Sequence, residues 1–241
     1  GAGWCLGERR MSDRDKAAGE FSEVSAVRRG RPKGLARLRT YATGKEILVL
    51  GPSSAGKSKF AEYLQLGRLH PEGQREMTYG LTKSPTFTLT LGVDGRVALN
   101  VRRTVDTPGQ TGPVQHAGLV GERKPHAVVV MLDSSRPIAT SVKWLDLFCD
   151  RLDTVLRKGH HIRNKLREIV VVLNKRDKID PAGRDELAAR VRQVLDRHLA
   201  VVLGPDRAAA IPVLECICIE GPHGPALIDA VLACLAERLT Q

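Results

Sequence analysis

The chain has 241 residues, enough for one large domain or for one ordinary domain with an appendage. It is 42% hydrophobic and can bury a sizeable core, and no apolar run reaches the roughly 20 residues of a membrane-spanning helix. Lysine and arginine number 38 against 27 aspartates and glutamates, and the net charge of +11 suggests a polyanionic partner. Five cysteines are too few for a disulfide framework, and no leader sequence opens the chain, so we expect a cytoplasmic protein.

The basic excess is concentrated at the start of the chain. Residues 1–44 hold ten basic and five acidic residues. We predict that residues 1–44 form a flexible basic arm and that residues 45–241 form the folded domain. Within the arm, Arg29-Gly30-Arg31-Pro32 resembles the AT-hook, which lies in the minor groove of A/T-rich DNA. Residues 28–39 are therefore candidates for contact with DNA or an anionic membrane surface, the alternative being a solvated tail.

From residue 45 onward, apolar strands alternate with helical patterns. The predicted strands cover residues 46–51, 86–93, 97–105, 126–133, 167–175 and 211–219. A helix is predicted over 57–67 and a polar loop over 68–84, and helices lie between and after the last three strands. This order predicts an α/β fold: a mostly parallel six-stranded sheet with one antiparallel edge strand and helices on both faces.

Residues 51–58 match G-x-x-x-x-G-K-[ST] between a predicted strand and a predicted helix. In such a loop, backbone N–H groups surround phosphate oxygens at the start of a helix. Lys57 would reach the β and γ phosphates, and Ser58 would give its hydroxyl to Mg²⁺. The predicted phosphate-binding residues are Gly51, Ser53, Ser54, Ala55, Gly56, Lys57 and Ser58. A glycine-rich turn before a helix is the simpler alternative.

Two more polar motifs follow strands and therefore lie at the same edge of a parallel sheet. In residues 106–110, Asp106 can hold Mg²⁺ through water, Gly109 can approach the γ phosphate, and Gln110 can orient an attacking water. In residues 174–177, Asp177 can accept two hydrogen bonds from guanine, whereas adenine would leave it unpaired.

In this order, the three motifs resemble those of the Ras superfamily of small GTPases, over residues 45–240. The resemblance is nearest the Arf-like branch and related bacterial small GTPases, on the sequences at residues 64–67, 84–86 and 132–135. It implies the P-loop NTPase fold, a three-layer sandwich. It also implies a molecular switch that binds GTP with Mg²⁺, hydrolyses it to GDP, and works with activating proteins, exchange proteins and an effector.

The resemblance also implies further site residues. Thr86 is the best candidate for the first-switch threonine that coordinates Mg²⁺, with Thr82 and Thr88 as alternatives. The guanine contacts map to Asn174, Lys175, Asp177 and the backbone of Cys218. The expected catalytic residues are Lys57, Thr86 and Gln110, and the expected metal ligands are Ser58, Thr86 and Asp106. Cys216 and Cys218 could form half of a metal site, but buried small residues are the favoured interpretation.

Three departures from the family pattern bear on hydrolysis. Ser53 stands where many members carry glycine, Pro108 stiffens the second switch, and the loop over 68–84 is longer than in the Arf-like branch. No arginine finger is evident in the chain, so we expect slow turnover without an activator. Two other functions stay open: a nucleotide-loaded interaction module with little hydrolysis, and a nucleic-acid-binding protein regulated by its GTPase domain.

The topology also predicts a basic face remote from the nucleotide. The arm and the segment before the fifth strand both enter at the amino ends of strands, opposite the predicted site. This segment contains seven cationic or titratable residues, namely Arg157, Lys158, His160, His161, Arg163, Lys165 and Arg167. The arm has few large apolar residues and would therefore be a poor membrane anchor. Peripheral attachment to a membrane is nevertheless one alternative for this face.

Overall fold

The structure is a computed structural model that describes residues 27–69, 82–91, 97–108, 110–219 and 223–240. Four earlier predictions fall wholly or partly outside these residues: residues 1–26 of the predicted arm, most of the loop over 68–84, the end of the predicted strand over 86–93, and Gly109. Among the described residues, none of the helices is both long enough and apolar enough to span a bilayer.

The described residues form eight strands in a single sheet. The strands are β1 Arg28–Gly30, β2 Lys45–Leu50, β3 Thr82–Lys83, β4 Phe87–Leu91, β5 Val97–Asp106, β6 Ala127–Asp133, β7 Glu168–Asn174 and β8 Val213–Cys216. The helices are α1 Gly34–Thr43, α2 Lys57–Leu66, α3 Pro113–Arg123, α4 Ile138–Lys158, α5 His160–Lys165, α6 Pro181–Leu203, α7 Pro205–Ala209 and α8 Gly224–Thr240. A 3₁₀ turn covers Arg176–Lys178.

The strand order is β1-β4-β5-β2-β6-β7-β8, with β3 paired to β5. The five strands from β5 to β8 along this order are parallel, and β4 is antiparallel to β5. These are the six strands expected from the sequence, so the predicted α/β fold is confirmed. The sheet has two additional antiparallel strands, β1 and β3, which the sequence did not predict.

Alternation along the central strands divides the core into two layers. In β2, Leu48 and Leu50 face the layer of α3, α4 and α6, whereas Ile47 and Val49 face the layer of α2 and α8. Both faces of a parallel sheet must be covered, and continuous apolar runs such as β6 serve both layers. The result is the three-layer sandwich that the sequence predicted.

The strand β1 lies within the segment predicted to be a flexible arm. It pairs antiparallel with β4, where Arg29 is opposite Leu89. The Arg29 guanidinium donates hydrogen bonds to the carbonyls of Tyr63 and Leu64 at 3.1 and 3.2 Å, stacks over the Tyr63 ring and forms an ion pair with Asp229 at 3.3 Å. A cation at the carboxyl end of a helix is favourable, and here it fixes β1 to α2 and α8.

The register of the parallel strands places their polar carboxyl ends side by side. Val49 pairs with Asp106, Asp133 pairs with Asn174, and Asn174 in turn pairs with Cys216. All three sequence motifs therefore start at the carboxyl ends of parallel strands, on the same side of the sheet, as strand polarity predicted.

Candidate functional site

The loop of residues 51–56 connects β2 to α2 and has the backbone of a phosphate-binding loop. Gly51 and Gly56 have positive φ angles of 142° and 96°. A Cβ at Gly51 would collide with the Met131 carbonyl, and one at Gly56 would collide with the Asn174 amide. Glycine is required at both positions because the loop must turn sharply against β6 and β7.

Lys57 is the first residue of α2 and points back into this loop. Its side chain is 5% exposed, and its Nζ donates a hydrogen bond to the Pro52 carbonyl at 2.8 Å. Burial lowers the pKa of Lys57 to about 8, although the nearby carboxylate of Asp106 favours the charged form. A cation is thus held, largely desolvated, at the place where a phosphate would enter.

Ser58 and Asp106 meet beside Lys57. The Ser58 hydroxyl donates a hydrogen bond to Asp106 Oδ2 at 2.5 Å, and the Asp106 side chain is buried. A hydroxyl and a carboxylate are hard oxygen donors of the kind that Mg²⁺ prefers alongside phosphate oxygens. The chemistry of these two side chains fits the Mg²⁺ site predicted from the sequence, in which Ser58 would bind the ion directly and Asp106 would hold it through water.

The structure does not bring Thr86 to this metal site. Its hydroxyl donates to the Arg102 carbonyl at 3.3 Å, four residues before Asp106 on β5. Thr88 is farther away and bonds to Asn100. The backbone of Thr82, in contrast, lies directly opposite Asp106 in the β3–β5 ladder. The register thus places the backbone of Thr82, one of the two alternatives to Thr86, nearer to Asp106 than the backbones of Thr86 and Thr88.

The second switch leads from Asp106 into α3. The Thr107 hydroxyl is anchored to the Val49 carbonyl at 3.0 Å, and Gln110 is exposed beyond it. His116 is fully buried in α3, with its Nε2 3.2 Å from the Pro108 carbonyl. Burial and the charge of Lys57 lower the pKa of His116 to about 4, so the ring is neutral and donates through Nε2.

Asn174 joins the phosphate loop to the loop after β8. Its amide nitrogen donates to the Ala55 carbonyl at 2.9 Å, and its carbonyl accepts from the backbone N–H of Cys218 at 2.9 Å. Each polar group of this buried amide is used to join segments that are 44 residues or more apart along the chain. Asn174 and Cys218, both predicted from the resemblance, are brought together by this bond.

Lys175 and Asp177 occupy the turn that follows β7. Lys175 adopts a left-handed conformation with φ 63°, and its Nζ contacts Asp133 Oδ2 at 2.7 Å. Burial raises the pKa of Asp133, but hydrogen bonds from Lys175 and Ser135 outweigh this effect and hold it below its usual value. Asp177, in the 3₁₀ turn, is partly exposed at the sheet edge and contacts Lys178 at 3.5 Å.

The Cys216 and Cys218 thiols are buried 3.6 Å apart on the same side of the chain. Within the described ranges, no three His, Cys, Asp or Glu side chains are arranged to hold a metal ion. Both side chains are buried in the apolar layer between the sheet and α8, an environment that agrees with the favoured interpretation of this pair as buried small residues.

Three contributors to the site were not expected from the sequence: His116, Asp133 and Arg136. The sequence around Asp133 was noted only as part of the family resemblance. The Arg136 guanidinium donates from Nη2 to the Ser53 carbonyl at 3.2 Å, which places it at the mouth of the phosphate loop. Nothing in the local sequence of Arg136 or His116 predicts these contacts, because both depend on how separate loops pack.

No family model matches the sequence, and no curated protein matches it. The fold is similar to that of a bacterial selenocysteine-specific elongation factor, EF-Sec, with a TM-score of 0.51 and 13% identity over 82% of this chain. A translation elongation factor SelB from Methanococcus maripaludis, in complex with the GTP analogue GppNHp, matches 80% of the chain with a TM-score of 0.49 and 13% identity. The chain spans 29% and 34% of the lengths of these two structures.

The likeness to EF-Sec extends over most of the chain and shows the fold. Together with the topology above, it defines the chain's architecture as the three-layer α/β fold of P-loop NTPases.

Proposed function

We propose that this protein is a guanine-nucleotide switch that binds GTP and GDP with Mg²⁺ and hydrolyses GTP. The observation that supports this most strongly is the Asn174 amide, which links the phosphate loop to the Cys218 loop at the edge where all three motifs converge. Asp177 and the Cys218 backbone would then recognise the base, while Lys57 and the loop amides would hold the phosphates.

Base specificity tests the guanine assignment. The wild-type chain should bind GTP at least about 100-fold more tightly than ATP, because ATP would leave the Asp177 carboxylate without donors. Asp177→Asn should lose GTP affinity and gain affinity for xanthosine triphosphate, whose O2 accepts a hydrogen bond from the new amide. Titration with fluorescent nucleotides measures both effects, and Asp185→Asn on α6 is a matched control. Equal wild-type affinity for ATP and GTP would contradict the proposal.

The metal site offers a second test. Mg²⁺ would supply charge neutralisation at the β and γ phosphates, with Ser58, Asp106 and a first-switch threonine around it. The strand register leads us to propose Thr82 for that threonine in place of Thr86. Thr82→Ala should therefore weaken the Mg²⁺ dependence of GTP binding more than Thr86→Ala does. A larger effect of Thr86→Ala would instead assign the first-switch role to Thr86.

The alternative of a nucleotide-loaded module with little hydrolysis rests on Ser53 and Pro108. The Pro108 carbonyl is held by buried His116, which restrains the second switch. Single-turnover hydrolysis by the wild-type chain, with and without candidate activators, separates the two proposals. Activating proteins, exchange proteins and an effector remain expected partners of a switch. Cytoplasmic localisation also remains an expectation.

A further inference from the structure

A recess of about 790 Å³ lies at the amino end of β7, remote from the nucleotide site. It is formed by α5, the carboxyl end of α6, α7 and the last turns of α8. Four of its lining residues are arginines: Arg163, Arg167, Arg207 and Arg238. It lies at the amino ends of the parallel strands, where strand polarity predicted a basic face.

The positive charge in this recess is only partly balanced. The buried carboxylate of Glu168 contacts Arg238 at 3.3 Å and accepts the backbone N–H of Ile169. Arg207 donates to the carbonyls of Leu166 and Arg167, which fixes its guanidinium inside the recess. Burial lowers the pKa of Arg207, Glu168 opposes this, and the charges of Arg167 and Arg163 lower it further. The Arg207 guanidinium is thus close enough to Arg163 and Arg167 for their charges to disfavour its own.

Clustered guanidiniums of this kind fit a phosphate group. Arginine presents a planar fork of donors that matches phosphate oxygens, and binding an anion would relieve the mutual repulsion. None of the described residues that line the recess is aromatic, so its recognition would rest on charge and hydrogen bonds. We propose that this arginine recess binds a multiply phosphorylated ligand, either a free molecule or the headgroup of a lipid.

The test uses the full chain saturated with GDP and Mg²⁺, so that the phosphate loop is occupied. Calorimetry with inorganic pyrophosphate should show binding, and Arg163→Gln/Arg167→Gln should weaken it by about tenfold or more. Arg190→Gln/Arg197→Gln removes the same charge from the outer face of α6 and should leave the affinity within about twofold. Thermal unfolding and GDP affinity confirm that both variants are folded.

Vesicles distinguish the two sources of the phosphate. Binding to vesicles that contain a phosphorylated phosphatidylinositol, lost in Arg163→Gln/Arg167→Gln, assigns the recess to a lipid headgroup. Binding of pyrophosphate without vesicle binding assigns it to a free ligand. The proposal is overturned if neither binds, or if the α6 control variant loses as much affinity as the recess variant.

A different observation concerns the phosphate loop itself. Arg136 follows β6, and its side chain is 40% exposed. Its guanidinium contacts both the Ser53 carbonyl at 3.2 Å and Asp133 at 3.6 Å. It shares a cavity of about 510 Å³ with Pro52 of the phosphate loop and with Pro113, the first residue of α3. Arg136 therefore lies between the phosphate loop and the segment that carries Gln110.

We infer that Arg136 is an arginine finger supplied within the chain, an inference that depends on the proposed GTPase function. The terminal phosphate of a nucleotide held by residues 51–58 would lie beside Ser53, within the reach of a long, partly exposed side chain. There the guanidinium would stabilise the charge on the transferring phosphoryl group. Asp133 and the Ser53 carbonyl would hold the side chain in place before GTP binds.

Single-turnover GTP hydrolysis and GTP affinity together test this role. Arg136→Ala should slow hydrolysis by about 100-fold or more, while GTP affinity changes by less than about threefold. Arg136→Lys should restore little of the rate because it lacks the planar fork. Arg190→Ala, with a similarly exposed arginine on α6, should have no effect. An unchanged rate in Arg136→Ala overturns the inference, whereas a wild-type chain that binds GTP without hydrolysing it contradicts the proposed activity itself.

Discussion

Lys57 shows how burial prepares a single residue for its ligand. The phosphate loop is wrapped around the side chain, and its ammonium is bonded to a carbonyl of the same loop. Burial disfavours the charged form of Lys57 and lowers its pKa to about 8. A phosphate would replace the lost hydration, so binding and protonation of Lys57 must be linked.

This linkage predicts a pH dependence of nucleotide affinity. Below about pH 8 the free protein already carries the Lys57 proton, and the Kd for GDP should be constant. Above that pH, binding requires uptake of a proton, and the Kd should rise by about tenfold per pH unit. Fluorescence titration of wild type and Lys57→Ala measures this effect, since the variant should bind weakly with a flat profile. A flat profile in the wild type would contradict the linkage.

Gln110 is exposed in the structure, at the start of the turn that leads into α3. If it orients the attacking water, Gln110→Leu should lower single-turnover hydrolysis by about tenfold or more and leave GTP affinity unchanged. Gln115→Leu makes the same chemical change at an exposed position of α3 and is the matched control. Unchanged hydrolysis in Gln110→Leu would remove Gln110 from this role.

At the scale of elements, α3 is fixed to the second switch by a buried imidazole. His116 contacts the Pro108 carbonyl on one side and the Trp144 ring of α4 on the other, at 5.5 Å between ring centroids. Its Nδ1 has no hydrogen-bond partner among the described residues. A neutral ring is needed here, because a protonated Nδ1 would place an unpaired charge in the core.

This packing predicts acid sensitivity. The pKa of His116 falls from 6.5 to about 4 on folding, so the unfolded chain takes up a proton that the folded chain cannot. This uptake should lower the free energy of unfolding by about 1.4 kcal/mol per pH unit as the pH falls from 6.5 towards 4, in addition to a similar contribution from His126, whose pKa is also lowered to about 4. Urea denaturation measures the total slope. His116→Gln should remove the His116 contribution and leave that of His126, whereas His161→Gln, at an exposed position of α5, should leave the slope unchanged.

The elements that the sequence predicts are those with a repeating pattern. The apolar strands β2, β6 and β7 and the motifs after them were located correctly because strand polarity fixes which ends meet. In contrast, β1 contains two arginines and a glycine, with no alternation to mark it. Its position depends on contacts with Tyr63 and Asp229, which are distant in sequence. The choice between Thr82 and Thr86 likewise depends on the register of the two-residue strand β3.

At the scale of the molecule, the cationic residues behind the net charge of +11 lie in different surroundings. Arg29 is enclosed by α2 and α8. Its cationic neighbours within residues 27–44, the part of the arm that the structure describes, are exposed, namely Arg28, Arg31, Lys33, Arg37 and Arg39. Contact with DNA or a membrane through residues 28–39 remains a proposal, and Arg29, the first residue of the AT-hook resemblance, would have to leave its partners to take part.

The pairing of β1 with β4 predicts the effect of removing the arm. A chain that begins at Thr43 lacks β1 and α1, so the backbone edge of β4 becomes unpaired. Exposed strand edges promote association, so this variant should unfold at lower temperature and self-associate as its concentration rises. Light scattering and thermal unfolding measure both. Arg31→Gln/Lys33→Gln, which keeps β1, should remain as monodisperse as the wild type.

Arg29 and Asp229 are 200 residues apart, which has a consequence for synthesis on the ribosome. The segment that forms β1 leaves the ribosome long before α8 does, and domains generally fold as units during translation. The Arg29–Asp229 ion pair therefore cannot form until α8 has been made. The outer strand of the sheet is thus held by a helix that is synthesised 200 residues later.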